Sequence, residues 1–315
     1  MLRLGLCCGF VEEPIKFRTA TAAHLSKLPR REQLDRLAEI AAHNARALAA
    51  AVDHCAAHGI GAFRINSQVL PLYTHPQVGY RIEDLPGGDE LAGAFEAAGG
   101  RARDEAIRLL FHPDQFVVLN SPRPEVVEAS LAELEYQAEV AGRVGADVIN
   151  LHAGGVFGDK PAALDRLARS LDRLSPAART RLTLENDDRS YTPADLLPFC
   201  HRYGVPLIYD VHHHRCHPDG ARIEETTAAA LATWNREPVL HLSSPREGWT
   251  GPHPRRHHDF IDPADVPDAW HGLPVTVEVE AKAKELAVKR LRETIPLKRR
   301  PERQVRRWDG VARET

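Results

Sequence analysis

Six short apolar runs in this chain each end on a side chain that can bind a metal ion. The runs are RLLFH, DVINLH, RLTLE, PLIYD, PVLH and VTVEVE, and they end at His112, His152, Glu185, Asp210, His241 and Glu280. An apolar run without polar alternation is typical of a strand buried on both faces, and a parallel barrel places its chemistry where such strands end. Imidazoles and carboxylates that recur at these ends predict a site for several divalent cations.

The runs belong to a regular alternation of strands and helices. Strands are predicted from Leu2 and at Gly61–Ile65, Arg108–His112, Asp147–Leu151, Arg181–Glu185, Val205–Asp210, Pro238–Leu242 and Val275–Glu280. Helices are expected between them, among them one near Ala264–Trp270, whereas a loop is expected after Asp210. About eight βα units predict an α/β fold, a single (β/α)8 TIM barrel over residues 1–295, with the metal site at the C-terminal rim of its strands. An open doubly wound sheet is disfavoured, because GLCCGF lacks the glycine spacing of a phosphate loop.

Composition restricts the class of protein. Five cysteines without a CxxC pair argue against a disulfide framework, and no stretch reaches the roughly 20 apolar residues of a membrane span. A cytoplasmic protein with no membrane contact and no obligatory protein partner is expected, as a monomer. The net charge of -3 gives no global positive field, so binding to nucleic acid must rest on local arginines and on cations. Residues 296–315, which contain KRRPERQVRR, are interpreted as a basic tail, most simply a solvated extension.

The residues around the strand ends supply further candidates. A buried carboxylate at Glu185 or Glu280 needs a cation or a partner, and Asn186 and Asp187 are expected to orient Glu185. His213, three residues after Asp210, can face the same cavity as Asp210. In the loop PHPRRHHDF at least one histidine should bind metal, and the candidates are His253, His257 and His258. A single histidine at a strand end is more often a structural hydrogen-bonding group, so only the joint occurrence of these residues at several strand ends indicates a metal site.

The order and spacing of several motifs resemble the ultraviolet damage endonuclease family. They are FRINSQVLPLYTHP, RLLFHPDQFVVLNSPRPEVVEASLAELEY, INLHAGGVFGDK, LTLENDD, HLSSP, HHDF and VEVEAKAKE, and the resemblance covers about residues 1 to 290. It implies a metal-dependent barrel enzyme of DNA repair. Such an enzyme nicks the backbone immediately on the 5′ side of a cyclobutane dimer or 6-4 photoproduct, and of some other lesions, through a water activated by the metals.

The resemblance also implies a ligand set and a cofactor. The family's metal ligands fall on His75, His112, His152, Glu185, Asp210, His213, His241, His257 and Glu280. Two or three divalent ions are expected per chain, manganese by the resemblance, with zinc as the alternative. Glu185 is interpreted as the catalytic bridging ligand. Asp210, His241 and Glu280 are grouped in one site, His75, His112 and His152 in another, and His213 and His257 in a third.

The expected partner is damaged double-stranded DNA. By the resemblance, Gln115 and Phe116 in HPDQF probe the lesion; the alternative for Phe116 is burial in the barrel mouth. Lys160 and Arg64 are interpreted as phosphate contacts, with Lys160 at the reaction centre, although a rim salt bridge would suit either. The remaining DNA contacts are expected from Arg246, Arg255 and Arg256, which can grip backbone phosphates.

Other functions fit part of this pattern. A sugar isomerase of the same barrel class also uses Glu, Asp and His at strand ends, but gives no reason for a Gln-aromatic pair or an arginine loop. An apurinic-site endonuclease would differ only in substrate, and a decayed site would leave a nonenzymatic binding protein. Some relatives have tyrosine at the position of Leu6 and lysine at that of Val239, and these departures bear on lesion handling or metal affinity.

Overall fold

The computed structural model describes residues 2–295, which form a closed barrel of eight parallel strands. The strands pair in chain order, and the first pairs with the last to close the barrel. They are β1 (Arg3–Cys7), β2 (Ala62–Ile65), β3 (Arg108–Phe111), β4 (Val148–His152), β5 (Leu182–Glu185), β6 (Leu207–Asp210), β7 (Val239–Leu242) and β8 (Thr276–Val279). The predicted (β/α)8 TIM barrel is confirmed. The predicted tail, residues 296–315, lies outside the described residues.

Helices connect the strands and pack on the outside of the barrel. They are α1 (Ala22–Leu25), α2 (Arg30–Ala57), α3 (Gly88–Asp104), α4 (Pro124–Val144), α5 (Lys160–Leu171), α6 (Pro176–Arg179), α7 (Pro193–Tyr203), α8 (Val211–Cys216), α9 (Ile223–Leu231) and α10 (Glu285–Thr294). Between residues 2 and 295 no helix has the length and apolar character needed to cross a membrane.

Two connections differ from the sequence prediction. The helix expected near Ala264–Trp270 is a pair of 3-10 turns, Pro263–Asp265 and Asp268–Trp270. Pro267 separates them, because proline has no amide hydrogen with which to continue a helix. The loop expected after Asp210 is the short helix α8, whose first turn is capped by the Asp210 carboxylate accepting a hydrogen bond from the His213 amide.

The barrel interior changes from apolar to polar along its axis. At the N-terminal end Arg108 donates to both carboxylate oxygens of Asp147, at 3.0 and 2.7 Å, and Arg3 pairs with Glu237 at 2.9 Å. An apolar layer then crosses the barrel, formed by Ala62, Leu110, Val148, Ile208 and Val239. Because side chains alternate along a strand, the interior residues two positions further along β4, β6 and β7 are Asn150, Asp210 and His241. The polar end of the interior is therefore the C-terminal end.

Helices α3 and α4 pack so closely that their backbones touch. A Cβ atom on Gly99 would lie 2.5 Å from the Cα atom of Val144 and would also collide with the Val144 carbonyl oxygen. Gly93, in the same helix, is exposed and has open space where its Cβ would be. Glycine at 99 is therefore needed for packing, whereas glycine at 93 is not.

We predict opposite effects of alanine at these two positions on the free energy of unfolding. Gly99→Ala should destabilise the protein by about 1–3 kcal/mol, because the methyl group forces the helices apart. Gly93→Ala should stabilise it by about 0.5–1 kcal/mol, because alanine is the better helix former. Urea denaturation of both variants measures the difference. Equal effects would show that α3 and α4 do not pack as described.

Candidate metal centre

The Glu185 carboxylate at the end of β5 lies at the centre of a ring of histidines. One carboxylate oxygen, Oε2, lies 3.1 Å from His112 Nε2 and 3.9 Å from His152 Nε2. The other, Oε1, lies 3.3 Å from His213 Nδ1 and 3.2 Å from His241 Nδ1. Only 1% of the Glu185 surface is exposed. Four segments that are distant in sequence thus bring imidazoles to one buried carboxylate.

The electrostatics of the cluster favour an ionised Glu185. Burial opposes the charge, but His241 and His152, together with hydrogen bonds from His112 and His213, outweigh burial and hold the pKa of Glu185 well below its usual range. At His241 burial opposes the charged ring, and Glu185, Glu280 and Glu278 outweigh it, which raises the pKa of His241 well above its ordinary value. The His241 ring therefore lies where a cation is stabilised.

Several buried donor atoms fit a metal ion. Asp210 Oδ2, His241 Nδ1 and His152 Nδ1 are buried, and none has a hydrogen-bond partner among residues 2–295. An unpartnered buried polar atom is costly unless something binds it. Two groups have donor atoms within 4.8 Å of one another: His112, His152 and Glu185, and Glu185, Asp210 and His241. They share Glu185, and their mixed nitrogen and oxygen donors suit a divalent transition metal.

Hydrogen bonds with Asn186, the residue after β5, hold Asp210 at the end of β6, and His213 lies beside Asp210. The Asn186 side chain accepts a hydrogen bond from the Asp210 amide and donates one to the Asp210 carbonyl, both at 2.9 Å. His213, in α8, places Nδ1 3.4 Å from Asp210 Oδ2. Burial opposes a charged ring, but Asp210 and Glu185 outweigh it and raise the pKa of His213 well above its ordinary value.

The second half of the site lies at the end of β8. Glu280 Oε1 lies 3.5 Å from His241 Nδ1 and accepts a hydrogen bond from Arg64 at 2.8 Å, and Glu280 Oε2 lies 3.9 Å from His257 Nδ1. Burial opposes the charge of Glu280, but Arg64 and His241 outweigh it and lower the pKa of Glu280. Arg64, interpreted from the sequence as a phosphate contact, is instead buried inside the barrel between carboxylates.

His75 is the predicted ligand that the structure does not join to the cluster. Its Nδ1 accepts hydrogen bonds from the amides of Gln77 and Val78, at 3.2 and 3.3 Å. No ion pair or ring contact within the described part of the chain links His75 to Glu185. Its role as a ligand remains a prediction from the resemblance.

The loop after β3 carries the predicted lesion-probing pair. Gln115 and Phe116 are both exposed, and 79% of the Phe116 surface is accessible, so Phe116 is not buried in the barrel mouth. A cleft of about 420 Å³ runs beside this loop, and its lining includes Gln115, His152 and His213. The cleft therefore connects the loop after β3 with the histidine cluster.

The loop after β7 presents the predicted arginines to solvent. Arg246, Arg255 and Arg256 are exposed, and the Arg246 amide donates to the Arg256 carbonyl at 2.7 Å. Lys160 was predicted from the sequence as a phosphate contact at the reaction centre or as a rim salt bridge. Its Nζ lies 2.7 Å from Asp195 Oδ2, which is the salt bridge that the sequence left open as an alternative.

Two buried residues of the site were missed from the sequence. Asn150 donates to Glu185 Oε2, and Glu278 Oε2 lies 2.9 Å from His241 Nε2. Asn186 and Asp187, expected to orient Glu185, act elsewhere: Asn186 holds Asp210, and Asp187 accepts hydrogen bonds from amides of its own loop. The signal for both missed residues was alternation, since each lies two positions before a predicted ligand on the same face of its strand.

The two departures from the family pattern lie outside the ligand cluster. Val239 belongs to the apolar layer, two positions before His241 on β7, and Leu6 is fully buried in the core. Neither position therefore removes a side chain that surrounds Glu185.

A closed parallel barrel with a buried carboxylate-histidine cluster at its C-terminal end has the general architecture of a barrel enzyme, in which the active site lies at that end. A family model described as UV-endonuclease UvdE matches residues 2–305. A UV DNA damage endonuclease of Deinococcus radiodurans is 38% identical, over 94% of this chain and 97% of that protein. The crystal structure of SacUVDE has a TM-score of 0.82 at 26% identity and covers 93% of this chain and 98% of that one. The chain belongs to the UV-endonuclease UvdE family.

A more distant structural neighbour shows the fold alone. D-psicose 3-epimerase from Clostridium cellulolyticum H10 has a TM-score of 0.55 at 12% identity and covers 93% of this chain and 96% of that one. Such an identity supports the shared barrel and nothing about the reaction, because one barrel fold supports many chemistries.

We predict that Glu185→Gln abolishes metal uptake while keeping the fold. The amide has the shape of the carboxylate but lacks the charge that the two donor groups share. Saturating Mn²⁺ should stabilise the wild type, by about 2.7 kcal/mol at a free concentration 100 times the dissociation constant, and should leave the variant unchanged. Thermal melting with and without Mn²⁺, together with the bound metal per chain, measures this.

Glu237→Gln is the matched control for this substitution. Glu237 is also a carboxylate in ion pairs, but its partners Arg3 and Arg108 lie at the opposite end of the barrel. This variant should bind Mn²⁺ like the wild type. Wild-type metal content in Glu185→Gln would remove Glu185 from the centre of the site.

Proposed function

We propose that this protein is a DNA repair endonuclease that nicks the backbone immediately 5′ to cyclobutane dimers, 6-4 photoproducts and some other lesions. The observation that carries the proposal is the Glu185 carboxylate, buried among four histidines beside the unpartnered Asp210 Oδ2, in a member of the UV-endonuclease family. A phosphodiester is negatively charged, so cleaving it requires concentrated positive charge beside a nucleophile.

Two groups of residues are proposed to hold divalent ions. One group is His112, His152 and Glu185, the other is Glu185, Asp210 and His241, and Glu280, His213, His257 and His75 would complete two or three sites. When bound, such cations neutralise the phosphate, activate a water molecule and stabilise the departing 3′ oxygen. We propose Mn²⁺, with Zn²⁺ as the alternative, because hard all-oxygen sites rather than imidazole-rich ones suit Mg²⁺ and Ca²⁺.

The side chains around the site position the substrate. Exposed Arg246 and Arg256 on the β7 loop can contact backbone phosphates, which orient the duplex without reading its sequence. Arg255, whose Nε lies 3.3 Å from Asp188 Oδ2, joins this loop to the β5 loop beside the cleft. Local contacts of this kind allow damaged double-stranded DNA to bind a chain whose net charge is -3.

Lesion selectivity is proposed to come from Gln115 and Phe116. A damaged pair stacks and pairs poorly, so extruding it costs less than extruding normal bases, and a side chain that fills the gap converts this difference into selectivity. The exposed Phe116 ring can stack, and the Gln115 amide can bond orphaned base edges. Gln115 lines the cleft that leads to His152, and Phe116 is the next residue in the same loop.

The test is a nicking assay on an end-labelled duplex with one cyclobutane dimer, in Mn²⁺ or EDTA. The expected product is a single break at the phosphodiester 5′ to the dimer, present with Mn²⁺ and absent with EDTA. Matched duplexes that are undamaged or carry one apurinic site define selectivity, and incubation with glucose tests the sugar isomerase alternative. No break at the dimer, with sugar conversion instead, would contradict the proposal.

We predict that replacing both Gln115 and Phe116 by alanine weakens cleavage mainly where the duplex must be opened. Stacking on an aromatic side chain is worth about 1–3 kcal/mol per base, so cleavage of the paired damaged duplex should fall by about tenfold or more. A substrate already unpaired at the lesion should lose less, and bound Mn²⁺ should be unchanged. Equal losses on the two substrates would show that the pair serves general binding.

A further inference from the structure

Glu278 lies inside the barrel as the direct neighbour of His241. The two residues are register partners on β8 and β7, and both are almost completely buried, at 1% and 0% exposure. The Glu278 Oε2 atom lies 2.9 Å from His241 Nε2.

This contact determines which ring nitrogen of His241 can bind a cation. The ring must be neutral to bind a cation, and in the neutral ring a proton on Nε2 is donated to Glu278, so the lone pair is left on Nδ1. That atom is buried, has no hydrogen-bond partner in the described chain, and lies 3.2 Å from Glu185 Oε1 and 3.5 Å from Glu280 Oε1. Two carboxylates beside Nδ1 favour positive charge at this atom, which a proton supplies in the metal-free ring and a divalent cation would supply when bound.

The Glu278 carboxylate is itself held from its other side. Its Oε1 atom lies 3.7 Å from Arg64 Nε and 3.9 Å from Cys7 Sγ. Arg64 also donates to Glu280 at 2.8 Å, so one buried guanidinium links the carboxylate behind His241 to the carboxylate in front of it. The chain Cys7–Glu278–His241 and the Arg64 bridge leave the His241 ring little freedom to turn.

We propose that Glu278 is a positioning residue for the metal centre, which fixes the Nε2-protonated tautomer of His241 and directs Nδ1 at the cation. Partners of this kind on the far side of a metal-binding imidazole orient the ring and raise its basicity. The proposal rests on the proposed metal site and deepens it. It also gives Arg64 an internal role, as the counter-charge that keeps Glu278 and Glu280 ionised at one buried place.

The first test is the affinity of metal-free protein for Mn²⁺, titrated without DNA and read from the free-ion paramagnetic resonance signal. Glu278→Gln should weaken binding by about 10- to 100-fold, because the amide can occupy the site but cannot stabilise the imidazole as an anion does. Glu278→Asp, which keeps the charge, should recover part of the loss. Glu237→Gln, an ion-paired carboxylate at the other end of the barrel, should bind like the wild type.

Wild-type Mn²⁺ affinity in Glu278→Gln, with affinity lost in His241→Ala, would overturn the proposal. If Glu278→Gln does not fold, the proposal is tested instead on the wild type loaded with diamagnetic Zn²⁺. There, long-range nitrogen-proton correlation spectra should show His241 protonated on Nε2, and protonation on Nδ1 would overturn the proposal. Because neither readout uses DNA, a protein that binds metal in this way but does not nick photoproducts would contradict only the proposed function.

Discussion

The site depends on one buried negative charge, the Glu185 carboxylate. A carboxylate that is 1% exposed would be expensive to ionise, yet imidazole nitrogens from the residue after β3 and from β4, α8 and β7 lie within 3.1 to 3.9 Å of it. These groups cannot all satisfy one another by hydrogen bonds, because Asp210 Oδ2 and His241 Nδ1 have no hydrogen-bond partner among residues 2–295. Divalent cations would bind the carboxylate oxygens and the imidazole nitrogens at the same time, which is why the cluster is best understood as a metal centre.

The barrel makes this cluster possible by separating two kinds of interior. Ion pairs at its N-terminal end and the apolar layer of Ala62, Leu110, Val148, Ile208 and Val239 close the lower part, so the polar residues are confined to the C-terminal end. Each of three cluster residues is held by a hydrogen bond with a neighbouring part of the barrel: Glu185 by Asn150, Asp210 by Asn186, and His241 by Glu278. Loops carry the exposed Phe116 and arginines, the side chains that we propose contact the duplex.

The sequence predicted the fold and the strand-end residues, because an apolar run that stops at His112 or Glu185 is a local signal. Contacts between distant segments were harder to predict. Arg64 was interpreted as a phosphate contact or a rim salt bridge, because no local pattern relates it to its buried partner Glu280, 216 positions away. Glu278 escaped notice because its role depends on the register of β7 against β8, and Lys160 was assigned to the reaction centre although Asp195 holds it. The predicted ligand His75 stands on a loop, where no strand periodicity relates its side chain to the cluster.

Crystals grown with Mn²⁺ and measured on both sides of the manganese absorption edge would test the central claim most directly. The account predicts anomalous peaks within coordination distance of Glu185, with one peak also beside Asp210 and His241 Nδ1 and another beside His112 and His152. Binding at His241 Nε2, or peaks only at surface carboxylates with none at Glu185, would contradict it.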